Sequence, residues 1–209
     1  MNWLFDLDET LHHAGHAVFP RISQRMTDYI VRYLGYDLQQ ANLLRTHYWR
    51  RYGATLGGLV RHHHVSADHF LRFTHDMDEL LPWINYSNRL PQLLRSLPGR
   101  KWVFSNGPQH YVEAITAHLG IGHLISRCYG MEALDYQPKP HSSGYHRVLR
   151  DAGLAAGNCV MIEDTAANLR TAKRLGMQTV WISPTLRKPS WVDWRITDLR
   201  QLATLPLGR

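Results

Sequence analysis

Short apolar runs recur along this chain, and a stretch with helical spacing separates each from the next. Trp3-Leu4-Phe5, Lys101-Trp102-Val103-Phe104-Ser105, Cys159-Val160-Met161-Ile162-Glu163 and Gln178-Thr179-Val180-Trp181-Ile182 read as strands. Cys128-Tyr129 reads as a further short one. Between them, Pro108 opens a helix that runs to Leu119 and stops at Gly120. Pro140 opens another that ends near Gly153, and Thr165 to Leu175 forms a third, closed by Gly176. Proline suits the first turn of a helix and glycine the position just past its end. Strands that alternate with helices imply a parallel sheet covered on both faces, with right-handed crossovers.

One block breaks the alternation. From about residue 20 to 75 the spacing is helical throughout, with no strand signal. Pro20 opens a helix carrying Ile22, Met26, Tyr29, Ile30 and Tyr33, and Gly35 closes it. Asp37 caps a second helix with Leu38, Ala41, Leu44, Tyr48 and Tyr52. Gly53 and the Gly57-Gly58 pair are expected to loosen the next stretch. Ser66 then starts a short helix with Phe70, Leu71 and Phe73. The expected organisation is one α/β domain, residues 1–14 and 88–209, with a helical cap of residues 15–87 inserted after the first strand. Such an insertion leaves from the C-terminal edge of the sheet and is expected to form a lid there. The tail, with its Trp191-Val192-Asp193-Trp194 cluster, is expected to add an edge element and a short helix.

Composition narrows the class. The chain has 209 residues, enough for one or two domains with a real core. No apolar run of about 18 residues exists, so no membrane span is expected. The N-terminus lacks the pattern of a signal peptide. Cys128 and Cys159 do not have zinc-site spacing and read as buried thiols in a reducing cytoplasm. A net charge of +7 favours an anionic partner. The basic residues are spread out, which points to a phosphorylated metabolite rather than nucleic acid.

The strand ends carry the chemistry. The first delivers Asp6 and Asp8, two residues apart and so on one side of an extended backbone. The second delivers Ser105-Asn106-Gly107. Lys139 follows between two prolines, and the fourth long run ends at Glu163-Asp164. Each segment alone is also what a β-to-α turn or a helix cap would use. All four in order are a different matter. They place carboxylates, hydroxyl and amide donors and a cation at the C-terminal rim of the sheet, where α/β folds hold ligands.

These four segments resemble the motifs of the haloacid dehalogenase-like hydrolases: DxDx[TV], a strand ending in Ser or Thr, an isolated Lys, and an acidic pair. The resemblance spans about residues 3 to 183 and implies a Rossmann-like doubly wound parallel sheet with a cap. It implies that Asp6 is a nucleophile that forms an aspartyl-phosphate and that Asp8 is the general acid and base. Lys139 would neutralise the phosphate and hold Asp6 ionised, while Ser105 and Asn106 would donate to phosphate oxygens. The implied cofactor is Mg²⁺, held by Asp6, the Asp8 backbone carbonyl and Asp164, with Glu163 a ligand or an orienting residue. Where some relatives carry another acid, this chain has Asn168. Dehalogenases of the superfamily lack the acid at the position of Asp8, because halide needs no proton. Asp8 therefore favours phosphoester hydrolysis.

The substrate is sought in the flap and the insertion. His12, His13 and His16 have no recognised ligand spacing and read as solvated or substrate-facing. In Tyr48 to Leu59, Tyr and Trp could stack on a base and Arg could pair with phosphate. Tyr48 and Tyr52, four apart, equally suit the core of the cap. The stretch is similar to the cap of the pyrimidine 5′-nucleotidase-like branch, which implies a nucleoside monophosphate. His12, His16, Arg51 and Tyr52 are the specificity candidates. His62-His63-His64 reads as an exposed helix end, since adjacent residues on a helix diverge. The expected enzyme is a cytoplasmic monomer or homodimer. The alternatives are a phosphatase for a sugar phosphate, phosphoglycolate or lipid phosphate, a phosphomutase, and a phosphate- or nucleic-acid-binding protein without turnover.

Overall fold

The computed structural model describes residues 1–207. Six strands form one sheet in the order β3-β2-β1-β4-β5-β6, every neighbouring pair parallel. They are β1 (Asn2–Phe5), β2 (Arg100–Phe104), β3 (Arg127–Tyr129), β4 (Cys159–Glu163), β5 (Gln178–Ile182) and β6 (Trp194–Ile196). The central strand is the first in sequence: Leu4 pairs with Trp102 on one side and Met161 on the other. Leu4, Trp102, Phe104, Met161 and Tyr145 are among the side chains of the main core, all buried. The chain steps outward from β1 to β3, then returns to β4 on the opposite side of β1. That reversal is a topological switch point, and it opens a crevice at the carboxyl ends of β1 and its neighbours.

The chain divides into two compact units, Met1–His13 with Asn85–Arg209, and Ala14–Ile84. The first holds the sheet with α6 (Leu90–Ser96), α7 (Gln109–His118), α8 (Ser142–Ala152) and α9 (Ala166–Arg174). Boundaries shift from the sequence reading by a few residues. β1 ends at Phe5; the Asp6 amide still donates to the Ile162 carbonyl at 2.9 Å, and the chain then leaves the sheet. α8 begins at Ser142 with His141 as its cap, rather than at Pro140. The tail supplies β6 as an edge strand, followed by a 3₁₀ turn at Leu199–Thr204 whose first residues are closed by Asp198.

The second unit is helical: α1 (Val18–Leu34), α2 (Leu38–Tyr52), α3 (Thr55–His63), α4 (Ala67–Thr74) and α5 (Met77–Leu80). Asp37 and Ser66 cap α2 and α4 by accepting from backbone amides, and Gly35 takes the left-handed conformation that ends α1. Tyr29 is buried among Tyr33, His69, Phe70 and Phe73. Tyr33, spaced as a core residue, lies at the exposed edge of that cluster. Gly57 and Gly58 do not loosen the chain. They lie inside α3, where a β-carbon on Gly58 would fall 2.1 Å from Tyr48 Cγ. The glycine is there so that α3 can close onto the Tyr48 ring. The His triplet is the exposed end of α3, His62 and His64 being exposed, and it is tied to α2: Tyr48 Oη meets His63 Nε2 at 2.8 Å and Tyr52 Oη meets His62 Nε2 at 2.6 Å.

Cys159 is buried, whereas Cys128 is only partly so, its Sγ 3.6 Å from Thr116 Oγ1. Among the described residues no helix is long and apolar enough to cross a membrane.

Candidate active site

Three strand ends and one loop converge in the first unit. After β1 the backbone turns back on itself. The Leu7 carbonyl accepts from the amides of Thr10, Leu11 and His12, and Glu9 sits at a φ of 59° to make the turn. This coil points Asp6 inward and brings His12 back against Asp8. After β2, Ser105 Oγ accepts from the Gly107 amide at 2.9 Å, which shapes the turn into α7. The Asn106 side chain reaches the loop before α8 and clasps Lys139 from both directions. It donates to the Lys139 carbonyl at 3.0 Å and accepts from the Lys139 amide at 2.8 Å. The Asn106 carboxamide thus uses its oxygen and one N–H to hold Lys139, which leaves its second N–H for another acceptor. A phosphate contact is open to that N–H, to the neighbouring backbone and to Ser105.

Lys139 Nζ donates to Asp6 Oδ1 at 2.6 Å and to Glu163 Oε2 at 2.7 Å. All three side chains are buried. The other Glu163 oxygen accepts from the Thr165 amide. Asp164 stands beside them, its backbone carbonyl pinned by Trp181 Nε1 at 2.6 Å and its carboxylate touched by the Thr165 hydroxyl. One oxygen from each of Asp6, Glu163 and Asp164 lies within 4.8 Å of the others. With all of them ionised, three carboxylates and one ammonium carry a net charge of −2, Asp6, Glu163 and Lys139 being buried and Asp164 partly so. The consequence shows in the acidities. Burial, then the Glu163 carboxylate, pushes the Asp6 carboxyl up against the pull of Lys139. Burial does the same to Glu163 and Asp164. Burial works against the Lys139 ammonium too, but Asp6 and Glu163 outweigh it and hold it charged. An all-oxygen donor set with an uncompensated double negative charge fits a hard divalent cation.

Asp8 is held separately. The Tyr111 hydroxyl donates to Asp8 Oδ1 at 2.6 Å, and His12 Nε2 lies 3.0 Å from the same oxygen. The structure therefore corrects the reading of His12 as a solvated histidine: its side chain is fully buried. Tyr111 was not evident as a site residue. It lies in the first turn of α7, where side chains lean back toward the helix N-terminus and so toward the strand ends. Thr10 is a second addition, its hydroxyl 3.4 Å from Asp6 Oδ2. Burial, followed by the Asp8 carboxylate, pushes the Tyr111 phenol well above its ordinary range, so it remains a donor. Asn168, where some relatives carry an acid, is buried, and its backbone carbonyl accepts from Tyr145.

The structure thus brings together Asp6, Asp8, Ser105, Asn106, Lys139, Glu163, Asp164 and His12. His16, Arg51 and Tyr52 belong to the helical unit. There His16 and Arg51 are exposed, and Tyr52 is half-buried with its hydroxyl on His62.

Residues 3–176 match the family of haloacid dehalogenase-like hydrolases. The chain belongs to that family. A curated relative from Saccharomyces cerevisiae, Phosphate metabolism protein 8, is 26% identical over 191 residues, 84% of this chain and 59% of the yeast protein. The chain thus spans less than two thirds of that relative's length. Among solved structures, the HAD phosphatase from Thermococcus onnurineus is similar with a TM-score of 0.70 at 19% identity. That match covers 97% of this chain and 96% of the other. The L-2-haloacid dehalogenase from Xanthobacter autotrophicus is similar with a TM-score of 0.64 at 14% identity, covering 99% and 98%. A likeness shared with a phosphatase and a dehalogenase describes the haloacid dehalogenase fold. The choice between their chemistries rests on the side chains.

Proposed function

We propose that the chain is a Mg²⁺-dependent phosphomonoester hydrolase that works through an aspartyl-phosphate on Asp6. The observation that carries this reading is Asp8. A carboxyl group two residues from the nucleophile, fixed by Tyr111 and His12, can supply the proton that an ester oxygen needs on leaving and a halide does not. The yeast relative's name, with its reference to phosphate metabolism, supports the same class.

An Asp6 oxygen attacks phosphorus in line, the bond to the ester oxygen breaks, and Asp8 gives that oxygen its proton. Water then attacks the phosphorus of the aspartyl-phosphate, Asp8 takes its proton, and Asp6 is released. Lys139, anchored by Glu163 and clasped by Asn106, presents a positive charge beside the attacking carboxylate. Asp6, Asp164 and the Asp8 backbone carbonyl would hold Mg²⁺, with Glu163 orienting Lys139. Bound there, the ion supplies the charge that lets a carboxylate approach an anionic ester.

Nucleoside 5′-monophosphates are the favoured substrates. Support comes from the similarity of Tyr48 to Leu59 to nucleotidase caps and from the exposed Trp49 and Arg51 in that stretch. Tyr48 is not a stacking platform, because its ring is buried against Gly58. A panel of phosphomonoesters with Mg²⁺ tests the reading: kcat/KM should be highest for nucleoside monophosphates. A sugar phosphate or phosphoglycolate winning by more than about tenfold rejects the nucleotide class. Retained turnover in Asp6→Asn rejects the mechanism.

A further inference from the structure

Among the described residues, the two hydrogen bonds to the Asp8 carboxyl fall on one oxygen. Tyr111 Oη and His12 Nε2 approach Oδ1 at 2.6 and 3.0 Å. A carboxyl oxygen has two lone pairs, so two donors fill it. As a neutral ring, His12 donates from Nε2 only in the tautomer that leaves a lone pair on Nδ1; the imidazolium would add an N–H there. Nδ1 is buried with no hydrogen-bond partner among the described residues. A buried lone pair left unpaired is the lesser cost; the opposite tautomer and the imidazolium would both bury an unpaired N–H, and the former would also aim a lone pair at Asp8. The geometry of the histidine and of the carboxyl therefore agree on one arrangement.

We infer that Tyr111 and His12 are positioning residues that keep the acid proton of Asp8 on Oδ2 by saturating Oδ1. The inference rests on the reading of Asp8 as general acid. A proton on Oδ1 would have to displace one of two donors, each buried and held by its own element. His12 is fixed by the coil around the Leu7 carbonyl. Tyr111 is fixed at the start of α7, where its ring passes so close to Gly107 that a β-carbon there would lie 2.8 Å from Cδ1. Oδ2 is left as the oxygen that gives its proton to the departing ester oxygen and later takes one from water. The two donors also stop the carboxyl from flipping, so one oxygen serves both half-reactions.

The loss of such positioning has a signature that a structural role lacks. A nitrophenolate leaves without a proton, whereas an alkoxide does not. The test measures kcat/KM of the full chain with saturating Mg²⁺ on p-nitrophenyl, phenyl and benzyl phosphate, whose leaving oxygens run from good to poor. Tyr111→Phe, which removes a single oxygen, should cost less than about threefold on the nitrophenyl ester and about 30-fold or more on the benzyl ester, part of the usual general-acid contribution. Asp8→Asn should show the same slope, steeper. His12→Leu should reproduce the Tyr111→Phe pattern, and His12→Gln, whose amide reaches where Nε2 stands, should restore it. The His12 pair decides the matter if Tyr111→Phe fails to fold. Losses in Tyr111→Phe and His12→Leu that are equal across the three esters, or absent, with a steep slope in Asp8→Asn, overturn the inference and leave the general acid in place. An equal loss across the esters in Asp8→Asn itself removes the general acid and the reading beneath it.

Discussion

Lys139 Nζ stands 2.6 Å from Asp6 Oδ1, with the two side chains only 1% and 9% exposed. The residues are 133 positions apart, so this contact ties the loop after β1 to the loop before α8. Glu163 is the ammonium's second acceptor, from the end of β4. The cation is thus more than a surface charge near a substrate. It is the counterion that allows two carboxylates to be buried at all.

Removing the cation should expose that dependence. Lys139→Met leaves Asp6 and Glu163 buried without their partner, and breaking a buried pair costs about 3–5 kcal/mol. Urea denaturation should show a loss of that order, and turnover should fall by more than about 100-fold. Adding Glu163→Gln to Lys139→Met should recover part of the stability and none of the activity. A stability change under about 1 kcal/mol in Lys139→Met would contradict the burial of the pair.

The uncompensated charge makes a second demand. Mg²⁺ that binds the folded chain and not the unfolded one stabilises it by mass action, about 2.7 kcal/mol at a hundred times its dissociation constant. Titrating Mg²⁺ should raise the unfolding midpoint of the wild-type chain. Asp164→Asn keeps the Thr165 contact and the Trp181 clasp on the backbone but removes one charge. Its midpoint should rise only at much higher Mg²⁺. An equal response in both chains would place the ion elsewhere.

In α3, two adjacent glycines should respond in opposite directions to the same substitution. A β-carbon on Gly58 meets Tyr48 Cγ at 2.1 Å, while one on Gly57 meets only Tyr52 Cβ at an ordinary 3.5 Å. Gly58→Ala must push the buried Tyr48 ring away and should cost about 1–3 kcal/mol as overpacking. Gly57→Ala has room and should gain about 0.5–1 kcal/mol from helix propensity. Denaturant titrations of the two variants check the pair directly.

These glycines also show where sequence reading runs out. β1, β2, β4 and β5 are legible because each holds a short apolar run closed by a turn signal, and the helix ends because Asp37, Ser66, Gly35 and Gly153 act through local hydrogen bonds; the edge strand β6, Trp194-Arg195-Ile196, has no such run. The role of Gly58 is not legible in the sequence because its reason lies ten positions away on another helix, where α3 closes onto the Tyr48 ring of α2. In the site, Asp6, Lys139 and Asp164 could be picked out because each ends a strand or follows a β-to-α punctuation. The bonds from His12 and Tyr111 to Asp8 could not. They depend on a coil with Glu9 at positive φ, which no periodicity predicts. They also depend on how α7 leans over the strand ends.

The edge of the sheet offers a pH test away from the site. Asp193 lies between β5 and β6. It accepts from the Thr179 amide at 2.9 Å, from the Thr179 hydroxyl at 3.1 Å and from Lys173 of α9. Partial burial alone would push its carboxyl up, but the Lys173 and Thr179 donors outweigh it and hold it below the ordinary carboxylate range. A carboxyl depressed by folding binds fewer protons in the folded chain than in the unfolded one. Its contribution is therefore complete above the unfolded value of 3.8 and is lost as pH falls through the lower folded value. Asp193→Asn removes the charge while keeping an oxygen for the Thr179 amide. At neutral pH it should cost about 1–2 kcal/mol, the scale of hydrogen bonds to a charged group discounted for a side chain a quarter exposed. Urea denaturation from pH 7 downward should show the gap between the two chains closing below about pH 4, as the wild-type carboxyl takes up its proton. A gap that stays constant to the acid limit would mean that the contribution of Asp193 comes from shape rather than charge.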